Sequence, residues 1–198
     1  MQQLNLFEKQ ETLEVLNKEI RTCKKCDLSI TRKHALTGEG NIYAKILFVA
    51  LSPGKKEDLE NRMFIGPSGQ VFNRLLQTAE IDRDSVFMTN LVKCTLPKNR
   101  KPKLSEIEMC SPFLDEEIAI IQPHVIVPLG YYATRSVLLM YHADSSSPEM
   151  SFKNINGKLL QIGEAKIFPV THPAALLYNP SFGPDTEAKY KKLKSIIL

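Results

Sequence analysis

The sequence predicts an α/β fold: a three-layer αβα sandwich around a central, mostly parallel four-stranded sheet. Three observations predict it. Four short apolar runs lack the alternation of a half-exposed strand, as expected of strands covered on both faces. Helical patterns lie between them, and strands alternating with helices fold into parallel sheets through right-handed crossovers. The 198 residues carry no internal repeat and no linker, so one domain is expected over residues 1–198.

The elements follow in chain order. Residues 12–21 place Leu13, Leu16 and Ile20 on one helical face. Residues 45–51 (KILFVAL) form the first strand. Residues 68–79 form a helix with Val71, Phe72, Leu75 and Leu76 inward, and residues 86–90 (VFMTN) the second strand. Residues 105–121 open on Ser105 and Glu108, the spacing of a capping box, and carry Ile107, Phe113, Leu114, Ile118 and Ile121. The third strand is 125–129 (VIVPL), the next helix 131–141, and the last strand 166–170 (KIFPV). Pro128 and Pro169 belong at strand ends or edges, because proline cannot donate to a ladder. Residues 144–148 read as a loop. Residues 153–164 read as a short hairpin turning at Asn156-Gly157.

The polar N-terminus has no apolar signal core, and no run approaches the roughly 20 apolar residues that cross a bilayer. A cytoplasmic, membrane-free protein is expected. The net charge of +4 is too small to name a partner, so its distribution matters more. Lys98, Arg100, Lys101 and Lys103 crowd one segment, and Lys189, Lys191, Lys192 and Lys194 another. Each cluster suits a polyanion or a solvated surface.

All four cysteines fall into two pairs, Cys23-x2-Cys26 and Cys94-x15-Cys110. Four thiolates complete one tetrahedral metal site or one cubane iron–sulfur cluster. Buried free thiols and disulfides are the alternatives, and disulfides are rare in the cytosol. Bound metal would staple the N-terminal segment to the body.

In open α/β sheets, ligands sit beyond the C-terminal ends of the strands. Here those ends carry Ser52-Pro53-Gly54, Thr89-Asn90 and Thr171-His172-Pro173. A Pro-Gly loop, an amide and an imidazole thus converge on one cleft.

At these residues the chain resembles the family 4 uracil-DNA glycosylases, the iron–sulfur class. Five stretches carry the resemblance, in order and over nearly the whole chain. They are Cys23 to Cys26 with Thr37-Gly-Glu-Gly40, residues 52–58, residues 64–70, residues 89–94 with 97–100, and residues 172–177. The resemblance implies uracil excision from single- or double-stranded DNA by a monomer, at the nucleoid when acting. It also implies a 4Fe-4S cluster on Cys23, Cys26, Cys94 and Cys110, where spacing alone leaves zinc open.

Roles follow by the same resemblance. Leu51, Ser52, Pro53 and Gly54 would wall the base pocket, and Phe64 would stack on the extruded base. Asn90 would donate to O4 and accept from N3–H of uracil, a pattern cytosine reverses. His172 would stabilise negative charge on O2 of the leaving uracilate. Gly66, Pro67, Ser68, Lys98 and Arg100 would meet the DNA backbone. Leu176 would wedge into the emptied stack, with Leu177 as the alternative.

One position departs from the family. Its first motif usually has Glu where this chain has Leu51, and family 5 also carries an apolar residue there. Glu57 and Asp58 remain, and Glu57 is the candidate to take over part of the acidic role. Leu51 leaves open a protein that binds uracil with weak or lost catalysis. An iron–sulfur redox or regulatory protein on the same scaffold is a third reading. No lysine stands out as a Schiff-base nucleophile, so no lyase activity is expected. The 97–103 segment has no inserted loop and no histidine, which argues against covalent trapping of the sugar.

Overall fold

The computed structural model describes residues 6–143 and 147–197. In chain order it contains α1 (Leu6–Thr22), α2 (Leu28–Thr31), β1 (Glu39–Gly40), β2 (Ile46–Ala50), α3 (Lys55–Glu60), α4 (Pro67–Thr78), β3 (Phe87–Asn90) and α5 (Leu104–Ile121). There follow β4 (Val125–Pro128), α6 (Gly130–Met140), α7 (Phe152–Ile155), β5 (Leu160–Ile162), β6 (Ala165–Ile167), α8 (Ala175–Tyr178) and α9 (Gly183–Ile197).

The strands form one sheet in the order β1-β3-β2-β4-β6-β5. The four expected strands are its parallel centre, β3-β2-β4-β6. Two short antiparallel strands, β1 and β5, extend it to six. Both faces are covered, which makes the sandwich. Leu47 and Val49 of β2 enter a core with Leu13, Leu16 and Ile20 of α1, Phe113 and Leu114 of α5, and Val137 of α6. Ile46, Phe48 and Ala50 enter the opposite core with Phe72 and Leu75 of α4 and Tyr190 and Leu193 of α9. The period-2 pleat divides β2 between the two. All five of its residues are buried, which explains an apolar run without alternation.

Two local expectations need correction. The hairpin does not turn at Asn156-Gly157. It joins β5 to β6 around Gly163, which takes a positive φ of 58°, so the fourth expected strand is itself a hairpin arm. Asn156 instead follows α7, and the Gly157 amide donates to the Pro169 carbonyl. The start of α5 is not capped by Ser105 and Glu108. Its Glu106 carboxylate accepts from the Lys103 amide at 2.7 Å, one turn earlier. Of the expected loop 144–148, residues 144–146 lie outside the described residues, and Pro148 opens a short helical turn. No helix among the described residues is long and apolar enough to cross a membrane.

From β2 the chain moves towards β3, and from β4 it moves the other way, towards β6. That reversal opens a crevice at the C-terminal ends of the central strands. The residues named from sequence as candidates for a cleft lie at or beyond these ends.

Candidate active site and four-cysteine centre

A cavity of about 280 Å³, counting its mouth, opens there and is lined by Ala50, Ser52, Pro53, Gly54, Glu57, Met63, Phe64, Ser68, Asn90 and His172. It gives onto a wider groove of about 1470 Å³, measured the same way. Leu51, Lys55, Lys56, Pro67, Asn99, Arg100, Leu177 and Tyr178 line the groove.

Asn90 is the last residue of β3 and is buried. Its side-chain amide donates to the Met63 sulfur at 3.0 Å, a weak acceptor that a better one can displace. His172 is delivered by the segment after β6. Leu129 bridges Val170 in parallel, and the Gly130 amide donates to the Val170 carbonyl. Gly130 has φ of +81°, and a Cβ there would lie 3.2 Å from the His172 Cβ, so this close turn needs glycine.

The Ala174 amide donates to His172 Nδ1 at 3.1 Å. A nitrogen that accepts carries no proton, so the neutral ring keeps its hydrogen on Nε2. Burial pushes the His172 pKa down to about 4. The site therefore presents a neutral imidazole donor.

Phe64 lines the cavity while its ring stacks on Phe72, 4.3 Å between centroids. Its φ is +53°, a conformation uncommon for a bulky residue and characteristic of functional sites. The two neighbouring carboxylates separate in role. Asp58 accepts from the Lys33 and His34 amides and ties that segment to α3. Glu57 faces the cavity, and its Oε1 accepts from the Gly66 amide at 2.9 Å. A Cβ at Gly54 would lie 2.6 Å from Glu57 Oε2, so only glycine lets the carboxylate stand there. The Gly66 amide is therefore engaged by Glu57.

Leu51 does not line the inner cavity. It packs against the α1/α5 core and forms groove wall. Arg100 lines the groove while held by Glu106 at 2.9 and 2.5 Å. Lys98 is exposed on the same turn as Asn99. The C-terminal lysines are partly spent on pairs outside the groove, Lys189 with Asp185 and Lys194 with Glu80.

The wedge assignment changes. Leu176 is 7% exposed and belongs to the core beneath α4, whereas Leu177 is 47% and Tyr178 87% exposed, both on the groove. Leu177→Ala should slow excision from duplex about tenfold and leave single-stranded substrate unaffected, because only a duplex has a stack to refill. Leu176→Ala should instead cost about 2–5 kcal/mol of stability. Paired single-turnover and thermal-unfolding measurements separate the two. Equal excision rates on duplex for Leu177→Ala and the parent would remove the wedge role.

The four cysteines converge as well. Cys23, Cys26, Cys94 and Cys110 line a second cavity, of about 320 Å³ counting its mouth, together with Arg32, Val92 and Phe113. Among the described residues, no three Cys, His, Asp or Glu side chains are grouped to hold a metal ion. The four thiols line one cavity, a soft donor set of the kind that iron–sulfur clusters use. Three N–H groups reach their sulfurs: Arg32 Nη1 to Cys94 at 3.0 Å, the Lys93 amide to Cys110 at 3.2 Å and the Lys25 amide to Cys23 at 3.5 Å. Hydrogen bonds to sulfur are a normal part of iron–sulfur ligation. Burial pushes the Cys110 thiol up to about 11 and raises that of Cys94. Electropositive iron would offset that cost by deprotonating them outright.

Sequence reasoning missed Met63, which touches Asn90, and Arg32, whose guanidinium joins Cys94 to the Cys23 carbonyl. Neither lies in a pattern that marks it. A lone Met reads as core, and a lone Arg reads as surface.

The family model for the uracil DNA glycosylase superfamily matches residues 37–194, which include every named residue of the cavity around Asn90 and His172 and of the groove above it, and leave out Cys23, Cys26 and Arg32. Relatives narrow the class. A type-4 uracil-DNA glycosylase of Sulfurisphaera tokodaii is 39% identical, over 95% of this chain and 86% of that one. One from Saccharolobus solfataricus is 36% identical, over 94% and 87%. A type-5 uracil-DNA glycosylase of Pyrobaculum aerophilum is 29% identical, over 71% and 66%. The chain belongs to the type-4 uracil-DNA glycosylases.

Proposed function

We propose that this protein excises uracil from DNA by hydrolysing the N-glycosidic bond, leaving an abasic site. The observation that carries the reading is the convergence of Asn90, Phe64, Glu57 and a neutral His172 on one cavity beneath a groove. A base inside a duplex must be rotated out before it can enter such a cavity, at a cost of a few kcal/mol. Phe64 offers it an aromatic surface. The Asn90 amide exchanges the Met63 sulfur for O4 and accepts from N3–H, which cytosine cannot match.

As the bond breaks, charge collects on the base. His172 Nε2–H is a fixed donor for O2, and its hydrogen bond strengthens only as that charge develops. Glu57 is placed to orient water or to favour the cationic sugar, the part left open by Leu51. Lys55, Lys56 and Arg100 supply sequence-independent, salt-sensitive affinity for phosphates.

Cys23, Cys26, Cys94 and Cys110 would hold a 4Fe-4S cluster. Bound there, it supplies a covalent cross-link between the α1–α2 connection and the β3–α5 region. The enzyme is read as a cytoplasmic monomer that works on single- or double-stranded uracil-containing DNA at the nucleoid, as the family resemblance suggests.

The test is a single-turnover reaction on a labelled oligonucleotide with one U·G pair, followed by alkali, for the parent and Leu51→Glu. Alkali-labile cleavage by the parent is expected. Cleavage only after Leu51→Glu would mean that the parent binds uracil without excising it. Nicks without alkali would reveal an unexpected lyase.

A further inference from the structure

The cavity residues do not explain Lys93. It is 1% exposed, and Glu117 beside it is 0% exposed, although both side chains carry charge. Such groups are almost never fully buried unless paired. Lys93 Nζ has three donors and finds three acceptors: Thr89 Oγ1 at 2.7 Å, the Asn90 carbonyl at 2.8 Å and Glu117 Oε2 at 2.6 Å. Glu117 also accepts from Thr89 Oγ1 at 2.6 Å and from the Gly38 amide at 3.1 Å.

A buried pair of this kind adds little stability relative to apolar residues of similar volume, so stability alone does not account for it. Its placement does. β3 ends at Asn90; beyond it the Leu91 and Val92 amides still donate to the Ala50 and Leu51 carbonyls, while the Asn90 carbonyl has the Lys93 side chain within reach. The ammonium takes that carbonyl. Thr89 points to the α5 face and Asn90 to the cavity face, so Lys93 grips the strand from behind the recognition amide. Lys93 is itself pinned at both backbone ends, by its amide to the Cys110 sulfur and by its carbonyl from the Leu36 amide at 2.8 Å.

We propose that Lys93, with Glu117 as its counter-charge, is a positioning residue for uracil recognition that fixes the backbone from which Asn90 reads the base. The proposal rests on the assignment of Asn90 to base reading. Lys93 touches no substrate and acts through Asn90.

The experiment compares Lys93→Met/Glu117→Gln, which leaves no unpaired buried charge, with the parent and repeats the comparison in an Asn90→Ala background. Single-turnover excision, iron content and affinity for an abasic-site oligonucleotide are measured. Excision should fall about 10²-fold in the parent background, the scale of a 1 Å misplacement at a reacting centre. In the Asn90→Ala background it should change by less than about twofold, because coupled residues are not additive. Iron content and abasic-site affinity should hold. Parent-like excision, or the same loss in both backgrounds, overturns the proposal. If Asn90→Ala alone excises at the parent rate, the Asn90 assignment fails first and takes the proposal with it. Should the double variant lose iron, Thr89→Val decides instead. It removes one acceptor of Lys93 without touching charge, and should lower excision at least about fivefold, only where Asn90 is present.

Discussion

His172→Ala slows single-turnover excision of uracil by about 10²–10³-fold, the usual cost of losing one preorganised oxyanion donor. The loss should appear in the chemical step, with affinity for abasic-site DNA unchanged. The pH profile carries the sharper test. With its pKa near 4, His172 stays neutral across the neutral range, so excision should show no inflection near 6.5. Such an inflection would mean a solvated imidazole and would contradict the assignment. The same shift affects stability. The unfolded chain takes a proton on this residue near 6.5, and the folded chain only near 4. Between those values the unfolded state binds more protons, so stability is full above pH 6.5 and declines as pH falls towards 4. His172→Ala should flatten that part of the stability curve.

Cys94→Ala should be the most destabilising single change. It removes a ligand and leaves the Arg32 guanidinium without its sulfur partner, although that group also holds the Cys23 carbonyl at 2.5 Å. A loss above about 4 kcal/mol is expected, the range reserved for metal, network or cavity failures. For a chain of this size that means roughly 8–16 °C in Tm. Iron should fall with it. Calorimetry and an iron assay on the same preparation check both, and unchanged iron content would break the four-ligand scheme.

The sequence made the centre of the fold legible and left its margins hidden, for physical reasons. Buried parallel strands announce themselves as short β-branched runs, and α1 and α4 bury the faces their periodicity picks out. β1 has two residues, Glu39 and Gly40, and a strand that short has no period. Asn156-Gly157 is a strong hairpin signal, but tertiary bonding to Pro169 claimed its glycine. In the site, Asn90 and His172 were visible because strand ends in this architecture face the ligand. Lys93 and Glu117 were not, because lysine and glutamate read as solvent-facing until their partners are seen. Leu176 and Leu177 could not be separated, since a four-residue helix offers too little pattern to orient two leucines.

The outermost strands also bear on how the chain behaves in company. A parallel sheet assembles only after distant segments meet, so its folding exposes hydrophobic intermediates for longer. Open sheet edges are where one molecule recruits another. Here the edges are a two-residue strand carrying Glu39 and a three-residue strand carrying Gln161, each running opposite to its neighbour. So short a ribbon gives an incoming strand almost nothing to zip onto. These two small additions to the sheet act as stoppers, and they guard the colloidal behaviour of a protein whose central strands would otherwise invite stacking.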